Sequence, residues 1–317
     1  TSRPSAGSGE GMPQYALADY VQFLVSGLST GSIYVLIALG IITIYSVTGV
    51  INLAQGEFVM LGAMLAIAFE ALGVPVGLAF AGAVLAVMAI GVAVQRLTIR
   101  PARGAPDVAL IIITIGTAIA LRGLALAAWG TTPQALPEFT PGAPLRVLDA
   151  VLSRQRLWIM GTAGATLLLL YLFFEHTLLG KAVRACAVNR QAAHLVGIDV
   201  ERMAVLAYAL SAGLGAIGGI VIAPLTLVSY DMGLTLGLKG FVVAIMGGLV
   251  SAPAAVAGGL LLGVLESFAS GLLSSGVKNA LAYLVLFAVL LARTAPLGAL
   301  RPGPRRGGIP STAGRGG

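Results

Sequence analysis

Apolar residues occur along this chain in long runs that are separated by short polar segments. Several runs reach the roughly 20 residues that a helix needs to cross a bilayer, whereas a transmembrane strand needs only about 10 residues of alternating polarity. We therefore predict membrane helices at about 20–47, 57–73, 76–95, 108–129, 157–175, 203–228, 239–250, 254–273 and 279–294. The seventh run is short for a regular crossing. The pattern predicts an all-α polytopic helix bundle of about eight or nine spans, with broken or re-entrant segments.

The composition places the chain among integral membrane proteins. It is 58% hydrophobic and 10% charged, with a mean hydropathy of +0.97, far from the values of soluble domains. The first residues are small and polar and lack the features of a cleavable signal, and Met12 is a candidate natural start. We expect an external tail at 1–18, one transmembrane domain at 19–295 and a basic tail at 296–317.

Positive charges predict the orientation. Twelve lysines and arginines lie in the loops around 96–107 and 175–202 and in the C-terminal tail, and six lie on the opposite side. We count Arg156 and Lys239 among those six. Because cytoplasmic loops are enriched in positive charge, the N-terminus is predicted outside and the C-terminus in the cytoplasm.

The stretch "GVINLAQGEF" at 49–58 places two amides and a carboxylate between apolar runs. Such groups are costly in hydrocarbon unless they are paired or hydrated, so we expect an interrupted helix that lines a polar path. The stretch "GGLVSAPAAVAGG" predicts a second interruption. Candidates for lining the path are Tyr45, Thr48, Asn52, Gln55, Glu57 and Glu266. Candidate helix breaks are Gly49, Gly56, Gly247, Gly248, Pro253, Gly258 and Gly259.

These residues also have purely structural interpretations. Asn52 and Gln55 could cap helix ends, and Glu57 could interact with the dipole of the second span. The sequence favours Arg122 reaching the outer boundary of the membrane over a contact with a substrate carboxylate. Glycines in membrane helices more often permit close packing than hinge motion.

The longest loop, "HTLLGKAVRACAVNRQAAHLVGIDVERM", predicts a short amphipathic helix at 184–196. Val188, Ala192, Leu195 and Val196 would form its apolar stripe, and Gly197 would end it. Either the helix rests on lipid or it docks a soluble partner.

The chain carries no recognisable catalytic or energy-supplying motif. No GxxxxGK[ST] motif is present, so we expect no ATP binding in the P-loop manner. One cysteine and two histidines without metal-binding spacing predict no metal site and no cofactor on this chain. Few carboxylates fall within the spans, which favours a transporter driven by a partner over an ion-coupled carrier. We expect that the chain is not an enzyme and does not bind nucleic acid.

Three stretches resemble the inner-membrane permeases of branched-chain amino acid ABC importers. They are "GLSTGSIYVLIALGIITIYSVTGVINLAQGEFVMLGAMLA", "GKAVRACAVNRQAAHLVGIDVERMAVLAYALSAGLGAIGGIV" and "GLKGFVVAIMGGLVSAPAAVAGGLLLGVLES". The resemblance implies a bacterial inner-membrane subunit that pairs with a second permease, docks two cytoplasmic ATPases and receives substrate from an external binding protein. ATP and magnesium would bind to the ATPases.

The resemblance also implies roles for residues of the cytoplasmic loop. The ATPase coupling residues implied by the resemblance are Gly180, Lys181, Arg184, Asn189, Ala192, Leu195 and Gly197. Arg190 and His194 are added because they lie on the predicted docking helix. Branched-chain or other hydrophobic amino acids are the expected cargo, with urea, short amides and other amino acids as alternatives within the class. A stand-alone carrier or channel is the alternative outside it.

Overall fold

The protein is described by a computed structural model that covers residues 17–102, 104–147, 150–272 and 277–294. Within these ranges the α-helices are α1 (Leu17–Thr48), α2 (Gln55–Ala71), α3 (Val76–Val94), α4 (Asp107–Trp129), α5 (Arg154–His176), α6 (Leu178–Val188), α7 (Arg190–Leu195), α8 (Val200–Ile222), α9 (Met232–Met246), α10 (Ala252–Leu272) and α11 (Val277–Thr294). A π-helical turn, Gln95–Ile99, extends α3, and a 3₁₀ turn, Ala223–Leu225, follows α8. Strands β1 (Leu145–Val147) and β2 (Ala150–Leu152) form a short antiparallel hairpin that we did not predict.

The all-helical membrane class is confirmed. In the described part of the chain, six helices are long and apolar enough to cross a membrane, namely α1, α3 with its π turn, α4, α5, α8 and α10. All nine predicted runs coincide with helices, although the seventh begins at Met232 and not at 239. The proposed tails at 1–18 and 296–317 lie outside the described residues, apart from the first two residues of α1.

Helices α1 and α8 form the centre of the bundle. The most apolar stretch of 18 residues is 89% buried in α1 and 78% buried in α8, whereas the corresponding stretch of α5 is only 11% buried. Small residues let the backbones approach closely, as is common between membrane helices. A Cβ at Gly31 of α1 would lie 2.7 Å from the carbonyl oxygen of Gly259 in α10, and one at Gly62 of α2 would lie 2.7 Å from that of Ala216 in α8.

The predicted interruption after the first span lies at residues 49–54. Helix α1 ends at Thr48, Gly49 has a positive φ of 66°, and α2 begins at Gln55. The backbone between them is held by neighbouring polar groups, because Leu53 N donates to Thr114 Oγ1 of α4 at 3.3 Å. Gly56 lies in the first turn of α2 and is not itself a break.

The second predicted interruption is shorter than we proposed. It spans residues 247–251, where Gly248 has a φ of 70°. Pro253 falls in the first turn of α10, where a proline is tolerated. Gly258 and Gly259 lie within α10, so the prediction of breaks there is wrong.

Gly258 and Gly259 permit close packing of α10 against neighbouring helices and do not interrupt it. A Cβ at Gly258 would meet the side chain of Met246, and one at Gly259 would meet those of Val35 and Val243. These glycines keep α10 close to α1 and α9.

The predicted helix at 184–196 is two helices in the structure. Asn189 has extended backbone angles, with φ −157° and ψ 107°, and separates α6 from α7. Its side chain accepts a hydrogen bond from Ala192 N at 3.0 Å, which makes it the N-cap of α7. The sequence pattern missed this break because an asparagine is compatible with either a helix surface or a cap.

Candidate functional site

Two of the predicted path residues, Asn52 and Gln55, form hydrogen bonds at the start of α2. Gln55 and Asn52 are each 1% exposed. Gln55 Nε2 donates to the carbonyl of Ser211 in α8 at 2.9 Å, and Ser211 Oγ donates back to Gln55 Oε1 at 2.5 Å. Asn52 Oδ1 accepts from Ala54 N at 3.1 Å. Both amides therefore secure the entry into α2.

Glu57 is paired with Arg122. The guanidinium Nη2 of Arg122 in α4 lies 2.5 Å from Glu57 Oε1, and their side chains are 24% and 2% exposed. The preferred sequence interpretation, in which Arg122 extends to the membrane boundary, is therefore wrong. A buried carboxylate needs a partner, and the arginine that faces it on α4 supplies the compensating charge.

Tyr45 and Thr48 lie in the last turn of α1. Thr48 Oγ1 donates to the carbonyl of Ile44 at 2.8 Å and accepts from Val50 N at 3.2 Å. Thr48 thus helps to end α1.

Glu266 belongs to a buried polar cluster formed by three helices. Its side chain is fully buried, and Oε2 accepts hydrogen bonds from Tyr34 of α1 at 2.7 Å and from Lys239 Nζ of α9 at 3.0 Å. Lys239 also donates to the hydroxyl of Tyr34 at 3.2 Å. Lys239 is only 3% exposed, so its assignment to an external loop is wrong. The need to neutralise Glu266 explains its position.

Two adjoining cavities lie between α1, α5, α9 and α10, and we call them together the polar cleft. Their volumes are about 240 Å³ and 460 Å³. Ser26, Thr30 and Arg156 line both cavities, so the two lie side by side. Glu266 lines the smaller cavity and Lys239 the larger. Of the six predicted path residues, the polar cleft includes Glu266 and not the other five.

Arg156 was missed as a site residue, because its position near an apolar run made it look like a topology signal. It lies in the first turn of α5, and its Nη1 is buried without a hydrogen-bond partner. The preceding residue, Gln155, anchors this turn. Its Nε2 donates to the carbonyl of Val221 in α8 at 2.9 Å, and its Oε1 accepts from Phe139 N at 3.3 Å.

The α6–α7 segment, residues 178–196, lies at the end of the bundle opposite the polar cleft. Val183, Cys186 and Ala193 pack against Val47 at the end of α1 and Met203 at the start of α8. Burial raises the pKa of the Cys186 thiol, although Arg190 opposes the shift. The segment is therefore fixed to both central helices by its inner face.

The predicted coupling residues fall into two groups in this segment. Some shape the backbone: Gly180 N donates to Thr177 Oγ1 at 2.9 Å, Asn189 caps α7, and Gly197 has a φ of 86°. Arg184 pairs with Glu175, and a Cβ at Gly49 would lie 2.8 Å from Nη2 of Arg190. The other group has exposed side chains and comprises Lys181, Ala192, His194 and Leu195.

The outer face of the segment is apolar and exposed. Val188 and Leu195 are each 88% exposed, and Val196 is 76% exposed. Ala192 is exposed as well, but the break at Asn189 divides these residues of the predicted stripe between α6 and the segment from Arg190 onward. In a membrane protein, large apolar side chains that face away from their own fold contact either lipid or a partner protein.

These features define a polytopic helical membrane protein with a polar cleft at one end and an exposed apolar surface at the other. The family described as the branched-chain amino acid transport system permease component matches residues 23–293. The chain belongs to this family.

Individual relatives agree with this assignment. The chain is 32% identical to the high-affinity branched-chain amino acid transport system permease protein BraD of Pseudomonas aeruginosa, over 86% of this chain and 94% of that protein. It is 30% identical to the corresponding permease protein LivH of Escherichia coli, over 86% of this chain and 93% of that protein. A probable LivH of Methanocaldococcus jannaschii is 28% identical over 77% of this chain and 79% of that protein.

Proposed function

We propose that this chain is a permease subunit of an ABC importer that carries branched-chain or other hydrophobic amino acids across a bacterial cytoplasmic membrane. Its partners would be a second permease, two ATPases and an external binding protein. The names of the relatives support the cargo class, and the charge distribution supports an external N-terminus. In this orientation the polar cleft opens outward and the α6–α7 segment faces the cytoplasm. The shorter helices α2, α9 and α11 would complete the single transmembrane domain.

The observation that carries the proposal is the set of exposed apolar side chains on the α6–α7 segment. Val188, Leu195 and Val196 extend from the bundle while the opposite face of the segment packs on α1 and α8. Either lipid or a soluble partner would cover these side chains, and the partners implied by the family favour the ATPase. A soluble ATPase that covered them would gain roughly 1.5–3 kcal/mol for each large side chain removed from water.

The contacts of the segment suggest how partner motion would reach the cleft. Val47 at the cytoplasmic end of α1 packs against the segment, and Tyr34 farther along the same helix lines the cleft. Likewise, Met203 of α8 packs against the segment, and Ile222 at the other end of α8 lines the cleft. A displacement of the segment would therefore move two walls of the cleft together. ATP binding by the partners would shift the permease from inward-open to outward-open, and hydrolysis would reset it.

The coupling role is tested by Val188→Ala combined with Leu195→Ala in the assembled transporter. Both side chains are 88% exposed, so we expect the fold to be retained. Docking should weaken by roughly 2 kcal/mol or more because two buried apolar contacts are shortened. Uptake of labelled leucine in proteoliposomes, measured per ATP hydrolysed, should fall about tenfold or more.

A matched control is Leu169→Ala in α5, where the side chain is 67% exposed and faces away from the bundle. It should leave uptake per ATP unchanged. Normal coupling in the Val188→Ala/Leu195→Ala variant would contradict the proposed docking surface. Leucine uptake by this chain alone, without an ATPase, would instead favour a stand-alone carrier.

A further inference from the structure

Helix α9 is a short helix with a non-helical segment at each end. It has 15 residues, whereas a helix that crosses the bilayer needs about 20. The segments that flank it are 226–231 and 247–251. In the second segment Gly248 and Leu249 both have positive φ angles, of 70° and 63°. A leucine in this left-handed region is strained, and strained positions of this kind occur at switches and hinges. The junction with α10 therefore suits rotation of α9.

Lys239 fastens the middle of α9 to two other helices. Its Nζ donates to Glu266 Oε2 of α10 at 3.0 Å and to the hydroxyl of Tyr34 in α1 at 3.2 Å. It also lies 5.5 Å from the centre of the Tyr34 ring, which is within the range of a cation–π interaction. The Tyr34 hydroxyl donates to Glu266 at 2.7 Å, so each of the three side chains is bonded to the other two. We call these three residues the latch.

Elsewhere α9 meets α1 and α2 through glycines. A Cβ at Gly233 would lie 2.7 Å from the carbonyl oxygen of Gly56 in α2, and one at Gly240 would lie 2.7 Å from Cβ of Ile37 in α1. At Gly56 backbone packs on backbone, so no side chain interlocks the two helices there. Packed helices with smooth faces can slide past one another. The latch therefore supplies a specific polar restraint on a helix whose other close contacts are smooth.

The latch lies where the polar cleft ends. Lys239 lines the larger cavity from α9 and Tyr34 lines it from α1. One turn farther along α1, Ile37 is 0% exposed and packs on Gly240, and neither of these two residues lines either cavity. The contact between Ile37 and Gly240 thus closes the way from the cleft toward the α6–α7 segment.

Motion of the α6–α7 segment would reach the latch through α1. Val47 at the end of α1 packs against the segment, and none of the residues of α9 belongs to that cluster. Tyr34 and Ile37 lie on the same helix as Val47. A displacement of α1 would therefore shift Tyr34 and Ile37 relative to α9.

We propose that the latch is the cytoplasmic gate of this permease. When it is closed, as in this structure, it holds α9 against α1 and leaves the polar cleft open to the outside. When it opens, Lys239 separates from Tyr34 and Glu266, and α9 moves away from Ile37 and opens the path to the cytoplasm. The inference rests on the proposed function for the ATP-driven cycle, to which it adds the residues that form the gate. The closed latch corresponds to the outward-open state with ATP bound.

The test measures access to Ile37 on the closed side of the latch. Ile37→Cys places a thiol there in the purified transporter in nanodiscs, and the rate at which a small methanethiosulfonate reagent modifies it reports access. Thr235→Cys is the positive control, because Thr235 is exposed and lines the cleft. The native Cys186 is 1% exposed, so the chain without an introduced cysteine gives the background.

Nucleotide should control this access. With a non-hydrolysable ATP analogue bound, the thiol introduced by Ile37→Cys should react slowly, and removal of the analogue should accelerate the reaction about tenfold or more. Lys239→Met/Glu266→Gln should react at the faster rate even with the analogue bound, because the charge-assisted hydrogen bonds that hold the gate are lost. Thr235→Cys should react equally fast in the parent and in this variant with the analogue bound.

Two measurements separate a gate from a general loosening of the bundle. Arg100→Gln/Glu201→Gln is the matched control, because it neutralises an ion pair between the π-helical turn and α8, away from α9. It should leave the thiol introduced by Ile37→Cys slow to react with the analogue bound. The thermal midpoint of Lys239→Met/Glu266→Gln should stay close to that of the parent, because both charges are removed together.

Slow modification in Lys239→Met/Glu266→Gln with the analogue bound would overturn the proposal, as would a rate in the assembled parent that nucleotide does not change. Equally fast modification in Arg100→Gln/Glu201→Gln would also overturn it. If the charge-free variant does not assemble, Tyr34→Phe decides. It removes two hydrogen bonds of the latch and should raise the rate about threefold or more, and a rate equal to that of the parent would overturn the latch.

The proposed function fails separately from the latch. ATP-coupled leucine uptake without any change in access to Ile37 would overturn the latch and leave the proposed function intact. Leucine uptake that needs no ATPase would overturn the proposed function. In that case the comparison of Ile37→Cys with and without Lys239→Met/Glu266→Gln still decides the latch.

Discussion

The Lys239 and Glu266 pair makes a quantitative prediction about stability. Lys239→Met removes the cation and leaves the Glu266 carboxylate buried. The side chains of these residues are 4% and 0% exposed, and Nζ lies 3.0 Å from Oε1. Glu266 would retain only the hydrogen bond from Tyr34, at 2.7 Å.

The expected magnitude follows from the burial of both charges. Removing one partner of a buried pair costs about 3–5 kcal/mol, whereas replacing both partners by neutral groups is often close to neutral. For a chain of this length 1 kcal/mol corresponds to roughly 2 °C in the midpoint of thermal unfolding. We therefore expect Lys239→Met to lower the midpoint by about 6–10 °C, and Lys239→Met/Glu266→Gln to recover most of that loss.

The assay is thermal unfolding of the purified transporter, followed by the fraction that remains monodisperse after heating. The single variants Lys239→Met and Glu266→Gln and their combination form a double-mutant cycle. A midpoint within about 2 °C of the parent for Lys239→Met would refute the argument, because the carboxylate would then be compensated by something else. Additive losses in the double variant would equally refute the pairing.

Two further predictions concern packing and charge elsewhere in the bundle. Gly62→Leu should prevent assembly of the transporter, because even a Cβ at this position would lie 2.7 Å from the carbonyl oxygen of Ala216. Gly116→Leu is the control and should assemble normally, because a Cβ there meets no atom within 4 Å. Size-exclusion chromatography distinguishes the two results. Arg122→Gln should destabilise the transporter by about 3 kcal/mol or more because Glu57 loses its partner, and adding Glu57→Gln should restore the thermal midpoint. Wild-type midpoints in Arg122→Gln would contradict this pairing.

The membrane helices could be predicted from the sequence because each depends on a contiguous run of apolar residues. The interruption at 49–54 was also visible, since amides and a carboxylate within an apolar chain require local compensation. Helix ends and breaks that depend on a single residue were harder to predict from the sequence. Asn189 divides α6 from α7 through one capping hydrogen bond, and Gly258 packs against a neighbouring helix where we expected a break.

The pairs of buried charges could not be predicted from the sequence. Lys239 and Tyr34 are separated by 205 positions in the chain, and Glu57 and Arg122 by 65. No local periodicity relates such residues, so a lysine beside an apolar run looks like a topology signal until its three-dimensional partner is known. The path role proposed for Asn52, Gln55, Glu57, Tyr45 and Thr48 stays a prediction.

The central claim is that the α6–α7 segment of this permease receives the motion of an ATPase. A photoreactive amino acid placed at position 195 in the assembled transporter tests it most directly, with position 169 in α5 as the control. The account predicts that irradiation of membranes cross-links position 195 to the ATPase subunit and leaves position 169 unlinked to it. Exclusive cross-linking of position 195 to lipid or to external proteins would contradict the account.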